Sequence, residues 1–242
     1  MPSYKLDVFI TDAWADELKR LGLALCIAKN VNESYSVAWT AKQDYEFSNE
    51  FSWEDSYKLG TVQKFEVGKN LLKMVAAEKQ PVTFGQTIIR DNRGNLGEAT
   101  GRPSSADSFT FENRGDMTFP VIDQLINGEF QPAWADPYGM VTGDMTLIPR
   151  PKVLVFFDKG MRTGDMFTTV ATPGVIEINF SHDTERAVSF VTSASRPGFG
   201  TWVNGQVVAN FVERVPMSYS VANGLEPLSS GNTLMDDENG DE

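Results

Sequence analysis

The sequence predicts an all-β chain of antiparallel sandwich architecture, arranged as two packed sandwich-like halves with one short N-terminal helix. Three observations carry this. Val153, Leu154, Val155, Phe156 and Phe157 form an unbroken apolar run between Pro151 and the Lys159-Gly160 turn, too short for a membrane span and rich in strand-forming residues, as in a strand covered on both faces. From Tyr45 to Tyr57 the odd positions read Tyr, Phe, Asn, Phe, Trp, Asp, Tyr while every even position is Glu or Ser, a period of two that requires one apolar and one aqueous face. Turn-forming Asn-Gly pairs stand at 127–128 and 204–205, each between strand-like segments.

Taken in order, Lys5 to Ile10 suit a first strand. Thr11 or Asp12 can cap a helix over Asp12 to Arg20, in which Trp14, Leu18 and Leu21 share one face before Gly22 ends it. Leu23, Leu25 and Ile27 alternate with Ala24, Cys26 and Ala28, which predicts a strand with a large-residue face and a small-residue face. Cys26 reads as a buried, inert thiol. Tyr35, Val37 and Trp39 alternate with Ser and Ala, so Leu23 to Thr40 reads as a hairpin. The 45–57 stripe is expected as an outer strand or hairpin with its rings on the core; a ligand-facing aromatic patch containing Tyr45 and Trp53 is the competing assignment.

Thr61 to Val67, Leu71 to Ala77 and Val82 to Ile89 continue the β pattern. Asn92 to Ser108 reads as a long surface loop, a class of segment that often carries function. Two prolines within 132–139 suggest a joint, giving an N-terminal β domain at 1–135, a C-terminal β-sandwich domain at 136–228 and an acidic disordered tail at 229–242. Ile176 to Phe180 and Val188 to Val191 then resume alternation.

The chain carries 33 acidic against 21 basic residues and a net charge of −12. That sign disfavours nucleic acid, whose phosphates need clustered Lys and Arg. A single cysteine excludes an intrachain disulfide. The opening residues lack a signal-peptide pattern and no window resembles a membrane-spanning helix, so a cytoplasmic protein is expected, with leaderless secretion as the other route.

No catalytic constellation is expected, and neither a metal nor a cofactor. His182 is the sole histidine, and flanking Ser181 and Asp183 point to the opposite side of an extended chain, so the three make no triad. Asp91, Asn92 and Asn95 lack the spacing and terminal glutamate of a calcium loop. Arg114-Gly115-Asp116 reads as a plain turn. The loop Arg196-Pro197-Gly198-Phe199-Gly200-Thr201-Trp202 is the sharpest binding candidate: its glycines permit close approach, Phe199 and Trp202 offer flat apolar surfaces, and Arg196 adds a cation. Burial of Trp202 in the core is the opposing assignment.

Taken together, these features read as a non-enzymatic recognition protein, lectin-like or toxin-like, binding a carbohydrate or lipid headgroup through Arg196, Phe199, Trp202, Tyr45 and Trp53. The rival expectation is a structural protein that self-assembles into homo-oligomers or larger arrays through sheet edges and aromatic patches. A carboxylate-based hydrolase is a third.

Overall fold

A computed structural model describes residues 3–74, 78–104, 107–168, 170, 174–195 and 199–205. Its strands are β1 (Ser3–Ile10), β2 (Leu23–Val31), β3 (Thr40–Lys42), β4 (Ser48–Val62), β5 (Gln80–Val82), β6 (Thr87–Arg90) and β7 (Phe109–Asn113). They continue with β8 (Phe119–Ile126), β9 (Glu129–Ala135), β10 (Gly143–Leu147), β11 (Pro149–Lys159), β12 (Val175–Asn179), β13 (Glu185–Thr192) and β14 (Gly200–Asn204). The helix α1 spans Asp12–Arg20, as the apolar spacing predicts, and a single 3-10 turn occupies Leu71–Lys73.

Among the described residues the strands form three sheets. The largest has the order β14-β13-β1-β4-β8-β9, with β5 added to β4; the second is β12-β11-β2-β3, and the third is β10-β7-β6. Most pairs are antiparallel, but β1 pairs with β13 and β6 with β7 in parallel. The fold is all-β and sandwich-like, and among the described residues no sheet closes into a barrel.

The main core lies where the first two sheets face each other. Leu6 and Val8 from β1, Phe51 and Trp53 from β4, Leu25 and Ile27 from β2, Val153 and Phe157 from β11, and Val188 and Phe190 from β13 all bury there. Strand β11 is internal to its sheet, and Phe156 on its other face is also fully buried, against Cys26 and Phe167. That two-sided burial is what its unbroken apolar run requires. On β2 the large residues join the main core while Ala24, Cys26 and Ala28 form the second face. Burial pushes the Cys26 thiol upward, as an inert cysteine requires.

Two expectations are corrected. Strand β4 is central, between β1 and β8, rather than an outer strand or hairpin. Its alternation survives to Trp53 and then breaks at a bulge, where Trp53 pairs with Ile126 but Tyr57 already pairs with Gln124. The partner of β2 in the expected 23–40 hairpin is only Thr40–Lys42, because Val37 bridges to Met166 instead of to β2. Strand pairing crosses residue 135: β1 pairs with β13, and β2 with β11, so both larger sheets join strands from the two sides of that point. These pairings couple residues far apart in sequence, which local periodicity cannot register. The expected tail at 229–242 lies outside the described residues.

The Asn127-Gly128 turn is present between β8 and β9, with both residues at positive φ (49° and 84°), the requirement of a two-residue hairpin turn. The second such pair, Asn204-Gly205, follows β14; the strand expected after it lies outside the described residues.

Candidate ligand-binding cleft

Two chain segments far apart in sequence meet at one end of the second sheet. The first is the turn after β4, running from Val67 through Gly68, Lys69 and Asn70 into the 3-10 turn; the second is the end of β11 from Asp158 with the loop that follows it, passing Gly160, Arg162 and Asp165 to Phe167. Between them they enclose a cleft of about 530 Å³. Lys159-Gly160 forms the corner anticipated from sequence, with Gly160 at φ 73°, a backbone region that glycine enters without steric penalty.

The two segments are stitched together. Asn70 donates from Nδ2 to the Thr163 carbonyl at 2.8 Å and to Asp165 Oδ1 at 2.7 Å, while its Oδ1 accepts from the Leu72 amide at 3.0 Å. Asp165 Oδ2 accepts from the Arg162 amide at 2.8 Å. Backbone bonds from Gly68 to Met166, from Met166 to Lys69 and from Leu71 to Gly164 complete the seam. The second segment is held from behind as well, since the Ala41 amide of β3 donates to Thr163 Oγ1 at 3.0 Å and Gln43 donates to the Met161 carbonyl at 3.2 Å. A concave surface fixed this way is preformed, so ligand binding does not have to order it.

Its floor is apolar: Met166 is 1% exposed and Phe167 5%. Its walls carry Lys69, Lys73, Lys159 and Arg162, all exposed, with Asp158 and Asp165. Burial raises the Asp158 carboxyl above its ordinary value. Val67, 62% exposed, stands on the lip.

The binding residues expected from sequence lie elsewhere. Tyr45 is fully buried and donates to the Leu23 carbonyl at 3.1 Å. Trp53, 2% exposed, stacks on Tyr4 at 5.7 Å and meets Trp39 and Phe180 edge-on. Trp202 lies parallel to Phe157 with ring centroids 5.2 Å apart, and its Nε1 donates to the Gly174 carbonyl at 3.2 Å. All three rings belong to one core, so packing rather than ligand contact accounts for them in this conformation. Phe199 is half-buried, and its carbonyl accepts from the Ser193 amide at 2.7 Å. Arg196 lies outside the described residues. Gly200 is glycine for a packing reason, because a Cβ there would fall 2.1 Å from Phe190 Cζ.

Other sequence motifs resolve into local structure. Asp91 spends its carboxylate on the Arg93 and Asn95 amides and the Asn95 side chain, a closed turn rather than a calcium loop. His182 is exposed between β12 and β13. Among the described residues no group of three or more His, Cys, Asp or Glu is placed to hold a metal, and no helix is long and apolar enough to cross a membrane.

The sequence reading missed Lys69, Asn70, Arg162 and Asp165. The available signal was a glycine beside a cation in each segment, at Gly68-Lys69 and in the Gly160-to-Gly164 stretch containing Arg162; nothing local indicated that the two meet. Comparison with protein families, with curated proteins and with solved structures finds no match to this chain.

Proposed function

We propose that the protein is a non-enzymatic recognition module that binds a carbohydrate or lipid headgroup in the cleft between residues 67–73 and 158–167. The observation that carries this reading is a preformed concavity with an apolar floor and convergent polar side chains, joined by the Asn70 bridge, the ordinary form of a small-ligand site. The expected aromatic-loop mode is replaced by this cleft as the point of contact, since Tyr45, Trp53 and Trp202 are committed to the core. Val67→Trp tests the reading: it fills the cleft from an exposed position. Loss of binding on a glycan and lipid-headgroup array at unchanged melting temperature supports the cleft, and undiminished binding removes it.

A second reading, assembly with other copies, rests on Tyr138, Val141 and Met117, which are 84%, 68% and 54% exposed. They sit around the Thr118–Met140 bridge, where Met117 and Phe119 approach Gly139. Clustered exposed apolar side chains are a common mark of association surfaces. Concentration-dependent mass in solution that Tyr138→Ser abolishes supports this; a monomer at all concentrations counts against it.

A further inference from the structure

We propose that the ligand of this cleft carries a phosphate monoester, an inference that rests on the recognition role above and specifies its chemistry. The argument begins with charge. The chain as a whole is strongly negative, at −12, yet Lys69, Lys73, Lys159 and Arg162 line this cleft against only Asp158 and Asp165. Four cations thus face two carboxylates. Some cations elsewhere pair with the abundant acids, Lys5 with Glu50, Arg20 with Glu17, Lys79 with Asp123, and Arg150 with Glu33 and Asp107, while others do not, such as Lys58 over the Phe130 ring. None of the four cleft cations joins a salt bridge among the described residues.

The two carboxylates are not equivalent. Asp165 turns both oxygens to the scaffold, one to Asn70 and one to the Arg162 amide, and so holds the walls in place. The positive surplus remains on the walls. A phosphate monoester brings roughly −1.5 to −2 charges at pH 7 and three acceptor oxygens, which matches a surplus of two better than the single charge of a sugar carboxylate. Arg162 supplies a planar fork for two of those oxygens and the lysines supply point charges. The apolar floor at Met166 and Phe167, with Val67 on the lip, suits the carbon skeleton that bears the phosphate.

The same headgroup chemistry occurs on soluble sugars and on lipids, and the experiment separates them. Full-length protein is titrated calorimetrically with glucose 6-phosphate, glucose and inorganic phosphate, and floated with vesicles of phosphatidylcholine alone or with added phosphatidic acid. The expected result is glucose 6-phosphate or phosphatidic acid vesicles bound at least about tenfold more tightly than the uncharged counterpart, with the gap narrowing as salt rises. The double variant Lys159→Gln, Arg162→Gln should lose at least about tenfold of that affinity. Both side chains are exposed, so its circular dichroism and melting temperature should match the wild type.

Preference for glucose 6-phosphate assigns the source to a sugar, and preference for vesicles assigns it to a lipid; either supports the inference. Equal binding of glucose and glucose 6-phosphate overturns it while leaving the cleft as a recognition site. Absence of binding by every phosphate probe also overturns it. A neutral glycan blocked by Val67→Trp would then preserve the recognition reading, and silence across the array would remove that too.

Discussion

Lys29 sits inside the sandwich on β2, 1% exposed and opposite Val153 of β11. Burial pulls its ammonium pKa from 10.5 down to about 8, an effect only partly countered by Asp55. Asp55 itself lies at the β4 bulge and accepts from Tyr57 at 2.8 Å and Tyr4 at 3.4 Å. Because the folded pKa lies below the unfolded one, the unfolded chain holds more protons between about pH 8 and 10.5, and Lys29 makes stability rise with pH across that window. Below pH 8 the full penalty of burying the charge is present, about 3 kcal/mol. Lys29→Met removes the charge, keeps comparable side-chain length and leaves Asp55 its two tyrosine donors. The variant should therefore be more stable than wild type by about 3 kcal/mol at pH 7, and by about half as much at pH 9.5. Urea unfolding of both proteins at the two pH values measures this. Tyr4, which burial beside Asp55 pushes up to about 12, is common to both chains and largely cancels in the difference. A gap independent of pH, or a variant less stable than wild type at pH 7, would refute the burial argument.

Further expected outcomes concern packing and the cleft scaffold. Trp202→Ala should destabilise the fold by about 3 to 5 kcal/mol in urea unfolding, since it removes a ring stacked on Phe157 and edge-on to Phe190; a change below 1 kcal/mol would place the ring outside the core. Gly200→Ala should destabilise by about 1 to 3 kcal/mol despite adding a single methyl group, because its Cβ would overlap Phe190. Gly164 holds φ 85°, and a Cβ there would lie 3.1 Å from Leu72 Cγ; Gly164→Ala should lower stability by about 1 to 2 kcal/mol. Asn70→Ala removes the two donor contacts across the cleft and should raise amide hydrogen exchange at Leu71 and Gly164, with a stability loss of about 1 to 3 kcal/mol.

Strands whose environment is set by their own alternation were legible in the sequence. β2 and β11 announce their two faces through residue size and apolar continuity, α1 through Trp14 and Leu18, and the β8–β9 turn through Asn127-Gly128. What stayed hidden depends on distant partners. Nothing near Lys5 indicates parallel pairing with Glu185, and nothing in the 45–57 stripe indicates strands on both sides of it. The same limit explains the site. Aromatic residues attract attention as ligand surfaces, yet Tyr45, Trp53 and Trp202 are drawn into one core because a large apolar ring gains most from burial. The cleft is instead made by Asn70 and Asp165, polar residues whose role exists only once two segments about 95 positions apart are joined.

The cleft between residues 67–73 and 158–167 is the proposed point of ligand contact. The direct test is a two-dimensional ¹⁵N–¹H NMR titration with the tightest binder from the glycan and headgroup array. The expected shifts concentrate at Gly68, Lys69, Asn70, Gly160, Arg162 and Asp165, and are lost in Val67→Trp. Shifts centred on Phe199 and Trp202, or on Met117 and Tyr138, with the cleft amides unmoved, would contradict it.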